Sequence, residues 1–478
     1  MQFLSFSFLA LFTICFILCY ALKGRYRNAL LLLASGVFVG WFHLPFLITA
    51  VVVALYTFFM GQWIEQRNNQ SRPVKTLYIV SIVGLIGGWL FFHYSSFSVG
   101  VIHSLLPFTN AGTLADKIIV PLGMSFYTFQ AIGYLTDIYW QEYRAERNPV
   151  NFTLYMLFFM KFLSGPIERG DSMLEQLKNP KPFDYTNIVS GLKLIFLGLF
   201  KKLLIANYIS PSTDMMFSSV HEISGVQLLM TCLLYPIVLY ADFSGYTDIA
   251  VGGARMFGIE LSPNFDRPFV SKSTSELWRR WHMSLSFWVR DYLYIPLTAA
   301  TRSWREWGIY LSLIVTFVLL GVWHGAGWAF AFYGFIQGFL ICCEMRFPHF
   351  SQRLQKMVGA PLASAFMMVK TYLLFAVSLI FFRLSSFSDA LYFLRNISFE
   401  VEHSWKEMNI GMSDNTAIVA GIALVLVLVY EYLSSKKDLA GRFQRLPVWL
   451  RWGVYYLMVF LLLLHGKFGA DNFIYLQF

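Results

Sequence analysis

Apolar segments recur along almost the whole chain, separated by short polar links. They lie near 2–22, 28–43, 44–61, 76–94, 118–139, 151–166, 186–206, 225–241, 308–323, 326–344, 365–382, 417–433 and 448–465. A hydrocarbon core about 30 Å thick takes roughly 20 residues of helix to cross. Most of these runs approach that length, and one or two read as short or re-entrant. In lipid a spanning backbone must satisfy its own hydrogen bonds, so the spans are predicted to be helices. The short alternating segments of a membrane barrel are absent. The expectation is an all-α polytopic membrane protein with about 11–12 transmembrane helices. With no internal repeat and no low-complexity linker, residues 1–478 read as one membrane domain. The first run, "MQFLSFSFLALFTICFILCYAL", has no basic leading region and no clear small-residue cleavage site, so it reads as a retained span.

Composition agrees with the pattern. Of 478 residues, 57% are hydrophobic and only 13% charged, against about a quarter charged in soluble domains. The net charge of +10 comes with no basic domain, which points to cytoplasmic loops facing anionic lipid and away from nucleic acid. The basic links "KGRYR" (23–27), "EQRNNQSRPVK" (65–75), "EYRAERN" (142–148) and "SSKKDLAGRFQR" (434–445) are expected on the cytoplasmic side. Counting outward from the first and last of them puts both termini outside the cell. Cys15, Cys19, Cys232, Cys342 and Cys343 all fall in apolar runs without metal spacing and read as packing residues.

The pattern breaks over residues 259–307, which are polar yet dense in Trp, Tyr and Phe. No single clean span fits there. A cytoplasm-facing loop, a helix capped at Ser273 with Glu276 three residues on, and a tilted or re-entrant piece through "FWVRDYLYIPL" are predicted.

Two histidines stand out. His324 sits in "GVWHGAGWAFAFYG" among Gly321, Gly325, Ala326 and Gly327, small residues that permit close backbone approach or a broken helix. An ionisable group at membrane depth is either functional or a neutral interhelical bridge. His282, in "RRWHMSLSFW" beside Arg279, Arg280 and Trp281, is either a site residue or a loop histidine in an aromatic belt. Their spacing is not that of a helical metal site, and no metal is expected. Asp242, Ser244, Tyr246, Asp248 and Arg255 in "YADFSGYTDIAVGGARMFGI" either line a water-filled path or bridge helices. Neither a phosphate-binding glycine loop nor a serine nucleophile elbow is present.

The blocks "PLGMSFYTFQAIGYLTDIY" (121–139), "DFSGYTDIAVG", "PNFDRPF", "WRRWHMSLSFWVRDYLYIPL" and "GVWHGAGW" resemble the membrane-bound O-acyltransferase superfamily. The resemblance is greatest to its bacterial branch, which holds the alginate O-acetylation membrane subunit and the D-alanyl transfer protein of teichoic acid synthesis. These blocks make 121–334 the core motif region. The resemblance implies helices and re-entrant segments around a central tunnel, open to a cytoplasmic thioester and to an acceptor outside. It matches His324 to the family's membrane histidine and His282 to its second histidine. The tail "DNFIYLQF" (471–478) is similar to the Phe-Ile-Tyr-Phe-Gln-Phe ending of the O-acetylating branch, with Leu476 in place of a Phe. That likeness implies that Tyr475 accepts the acyl group and passes it to an extracytoplasmic partner acetyltransferase, similar to SGNH hydrolases, acting on a polysaccharide. A phenol, with a pKa near 10, makes an ester still activated for transfer.

The implied mechanism takes acetyl-CoA, or a carrier-protein thioester, as donor in a bacterial inner membrane. Arg279, Arg280 and Trp281 would receive the donor's phosphate-bearing end. His324 would act as base, Tyr475 as nucleophile, and His282 or a tryptophan N–H as donor to the developing oxyanion. Two other readings are D-alanyl transfer from a carrier protein to teichoic acid, and a polysaccharide or lipid transporter without acyl chemistry.

Overall fold

The computed structural model describes residues 3–22, 24–94, 120–163, 165–325, 327–401, 408, 410–436, 441, 443 and 445–469. Lys23, Ala326, residues 118–119, parts of the 434–445 link and the whole 471–478 tail with Tyr475 lie outside the described residues. Every regular element among the described residues is helical, and eight helices are long and apolar enough to cross a membrane. The expected all-α polytopic architecture is thereby observed. Helices such as Phe6–Ala21, with 16 residues, extend only about 24 Å at 1.5 Å per residue.

The chain divides into two compact units. The first comprises Met1–Ile195 and Thr247–Ser262. In it the run expected to span 151–166 behaves otherwise. A helix covers Pro149–Leu157 and stops at Phe158, and residues 158–163 and 165–168 are non-helical and buried before the next helix, Gly170–Lys178. Pro166 after Gly165 opposes helix, and the freed backbone is satisfied locally. Phe159 N–H donates to Ser35 Oγ (3.1 Å) and Gly165 N–H to the Lys161 carbonyl (3.0 Å). The stretch carries a buried polar set: Lys161 donates to Gln130 Oε1 (2.5 Å), and Ser262 donates to both oxygens of Glu168 (2.6 and 3.0 Å).

The second unit comprises Phe196–Tyr246 and Pro263–Phe478. The long helix Gly225–Met256, of which the part up to Tyr246 belongs to this unit, runs on through the polar block that began at Tyr240. Asp242 and Ser244 are buried by protein there, which is why a polar helix persists beside an apolar one. The run expected over 186–206 is a helix, Tyr185–Lys201, whose residues from Phe196 on belong to this unit, followed by a π-helical turn, Lys202–Ala206. Lys202 in that turn pairs with Asp242, both fully buried, and Tyr240 donates to Glu431, whose carboxylate lies 3.8 Å from the Lys201 ammonium. Removing one member of a buried ion pair costs about 3–5 kcal/mol, while replacing both with apolar residues is often neutral. Asp242→Ala is therefore expected to lower the thermal unfolding midpoint in detergent, and Lys202→Met with Asp242→Leu to restore most of it. Equal destabilisation by single and double variants would contradict this.

Candidate active site

His282 and His324 both belong to the second unit, and separate devices hold them. His324 is the last residue of the helix Glu306–His324 and is 5% exposed. The helix ends there because Gly325 turns extended and Gly327, at φ 151°, adopts a conformation that side chains disfavour. The chain then re-enters as the helix Trp328–Arg346. The His324 ring meets Trp323 edge-on at 4.5 Å and Phe382 at 5.0 Å. A Cβ on Gly325 would stand 2.4 Å from the Phe330 ring, so only glycine lets that aromatic wall close.

His282 links two short helices, Thr274–Arg280 and Met283–Val289, and is 1% exposed. The first helix starts as expected: Ser273 Oγ accepts from Glu276 N–H at 3.0 Å. The Glu276 carboxylate accepts from Lys272 N–H (2.9 Å), one residue before the cap. Trp278 Nε1 donates to Gln337 (2.9 Å), and Gln337 donates to Ser378 (2.7 Å), fixing the short helix to its longer neighbours. His282 itself takes φ 43°, which turns its ring inward edge-on to Phe243 at 4.8 Å. The segment 264–266 runs alongside: Met283 N–H donates to the Asn264 carbonyl and Asp266 N–H to that of Arg280, each at 2.9 Å. Burial, reinforced by His324 nearby, holds the pKa of His282 well below the usual imidazole value. The second histidine is thus kept neutral and within electrostatic reach of the first.

The three residues expected to meet the donor fall in different settings. Arg279 is exposed and forms no ion pair among the described residues. Arg280 is held by two carboxylates, Asp266 (3.0 Å) and Glu276 (3.0 Å). Trp281 is buried in aromatic packing against Phe375 (5.1 Å) and Phe265 (5.2 Å). Arg279 therefore retains a free guanidinium for an anion, whereas Arg280 and Trp281 build the wall that carries His282.

Sequence reading passed over Asn264, whose side chain accepts from the His282 ring, and over Lys201, Lys202 and Glu431. The two lysines sit inside the apolar stretch "GLFKKLLIA", a signal that buried counter-charges were needed. Nothing local marks Asn264, which lies 18 positions from its partner.

A polytopic helical protein with one buried histidine at a glycine-broken helix end and a second in a buried turn fits a membrane enzyme. The family model for membrane-bound O-acyltransferases matches residues 140–386, just over half of the chain. The chain is 34% identical to the probable alginate O-acetylase AlgI of Azotobacter vinelandii over 351 residues, 72% of this chain and 68% of that protein. It is 31% identical to the peptidoglycan O-acetyltransferase of Helicobacter pylori over 406 residues, 79% and 75% respectively. To the teichoic acid D-alanyltransferase of Bacillus subtilis it is 31% identical over 240 residues, 48% and 60% respectively. The chain belongs to the membrane-bound O-acyltransferase family and is an acyltransferase.

Proposed function

We propose that this enzyme carries an acetyl group from a cytoplasmic thioester across the bacterial inner membrane for O-acetylation of an extracytoplasmic polysaccharide. The observation that carries the reading is the pair of buried histidines, His282 and His324, within one compact unit, in a chain with relatives named for O-acetylation. Acetyl-CoA is the donor, with Arg279 receiving its phosphates. His324 removes the phenolic proton of Tyr475 as that oxygen attacks the thioester carbon. The C–S bond then breaks and the sulfur leaves as the thiol. The acetyl group departs on the tail for an extracytoplasmic partner to place on a sugar hydroxyl, and both termini lie outside.

One structural feature supports a tail that leaves from a fixed point. Tyr208 donates to the His465 carbonyl (2.6 Å), Asn207 donates to that of Lys467 (2.8 Å), and the Lys467 ammonium lies 4.2 Å over the Tyr208 ring. The chain just before residue 471 is therefore pinned to the start of the helix Asn207–Ser218. D-Alanyl transfer has a relative behind it, but over less of the chain.

The test is mass spectrometry of the C-terminal peptide after incubation with isotope-labelled acetyl-CoA. A labelled adduct on Tyr475, absent in Tyr475→Phe, is expected. CoA release with an unmodified Tyr475 would remove the relay, and intact acetyl-CoA would move the donor to a carrier thioester or the protein to transport.

A further inference from the structure

The amide of Asn264 is 2% exposed, and three donors converge on its oxygen. His282 Nδ1 lies 3.1 Å from Oδ1, Ser284 N–H 3.2 Å, and Ser284 Oγ 2.8 Å. Amide oxygen and nitrogen are normally assigned from such networks, and here the backbone settles the assignment. The Ser284 N–H can only donate, so the atom facing it must be the carbonyl oxygen. A carbonyl oxygen can only accept, so His282 Nδ1 must carry the hydrogen that bonds to it. A neutral imidazole has one N–H, and burial favours the neutral ring. The remaining nitrogen, Nε2, then holds a lone pair. The positive φ of His282 serves this geometry by folding its ring and the N–H two residues later onto one oxygen.

We infer that Asn264 is a positioning residue that locks His282 in the Nδ1–H form, so that Nε2 meets the reacting groups as a hydrogen-bond acceptor. This rests on the proposed acyl transfer and changes one part of it. A resting His282 cannot donate to an oxyanion from Nε2; it is a second proton acceptor beside His324, and the oxyanion takes its hydrogen bond elsewhere. A carboxylate at position 264 would accept the same three bonds, whereas an apolar residue of similar size would accept none.

The experiment uses the full-length protein in lipid nanodiscs with 15N-labelled histidine. The His282 signals are assigned by difference against His282→Gln. The wild type is expected to show a protonated Nδ1 and an unprotonated Nε2. Asn264→Leu is expected to give a tautomer mixture, with kcat for acetyl transfer to Tyr475 lowered about 10–100-fold, as for other lost outer partners, and KM for acetyl-CoA little changed. Asn264→Asp should keep the wild-type tautomer and most of the rate, which separates positioning from a general loss of folding. A protonated Nε2 in the wild type, or an unaltered spectrum in Asn264→Leu, overturns the inference. So does a mixed tautomer with an undiminished rate. The spectrum needs no substrate, so a wild-type protein idle towards acetyl-CoA would refute the acetyl-transfer reading while the tautomer was still decided.

Discussion

His324→Ala is expected to abolish acetylation of the polysaccharide while leaving the protein in the membrane at normal level. The loss follows from what a phenol requires. With a pKa near 10, Tyr475 is mostly protonated at neutral pH, and its attack on a thioester needs a base in reach. A positioned general base contributes about 10²–10⁴-fold, so residual transfer of roughly 1% or less is anticipated. The protein level should hold because His324 closes a helix and touches two aromatic rings edge-on. Neither contact is needed for the glycine-mediated helix crossing beside it. His324→Gln preserves more of the side-chain volume and should be equally inactive. Measuring polymer acetylation beside membrane protein level decides the point. Retained acetylation in either variant would remove His324 from the mechanism.

The architecture was largely legible because hydropathy reports burial in lipid directly. The last apolar run, 448–465, coincides with the helix Val448–His465, and 308–323 lies inside Glu306–His324. Legibility failed where protein, and not lipid, surrounds the chain. The run 151–166 looks like a span, yet its described residues after Leu157 are not helical, and Ser35 and the stretch's own turns take up hydrogen bonds of Phe159, Lys161 and Gly165. The helix Gly225–Met256 looks like two different segments because the lysine that pairs with its Asp242, Lys202, comes from another part of the sequence. The site divides in the same way. Each histidine was visible as an ionisable residue in an aromatic setting, but no periodicity joins positions 42 apart. Motif resemblance suggested that they share a site, and the structure holds each by its own device, the turn at His282 and the break after His324. Asn264 had no signal of its own, since a buried asparagine gains its role only from what the fold brings to it.

That break depends on an unusually close helix crossing, where the second large effect is expected. A Cβ on Gly321 would stand 2.1 Å from the Phe330 carbonyl oxygen, and one on Gly334 2.0 Å from that of Phe317. Both obstacles are backbone atoms, so no side-chain rotation relieves them. The helices Glu306–His324 and Trp328–Arg346 would have to separate by about an ångström or more to reach ordinary contact. Close approach through small residues is a main source of association between membrane helices, and an overpacked core position costs about 1–3 kcal/mol, occasionally more. Gly334→Ala should therefore lower the unfolding midpoint. It should also displace His324, which ends the first of the two helices, and a misplacement of about 1 Å can cost 10²-fold in rate. Gly421 supplies the control. It lies in the spanning helix Asp414–Lys436 with open space where a Cβ would stand, so Gly421→Ala should match the wild type or exceed it slightly through helix propensity. If Gly334→Ala and Gly421→Ala had the same unfolding midpoint and transfer rate, the crossing would not be what holds His324 in place.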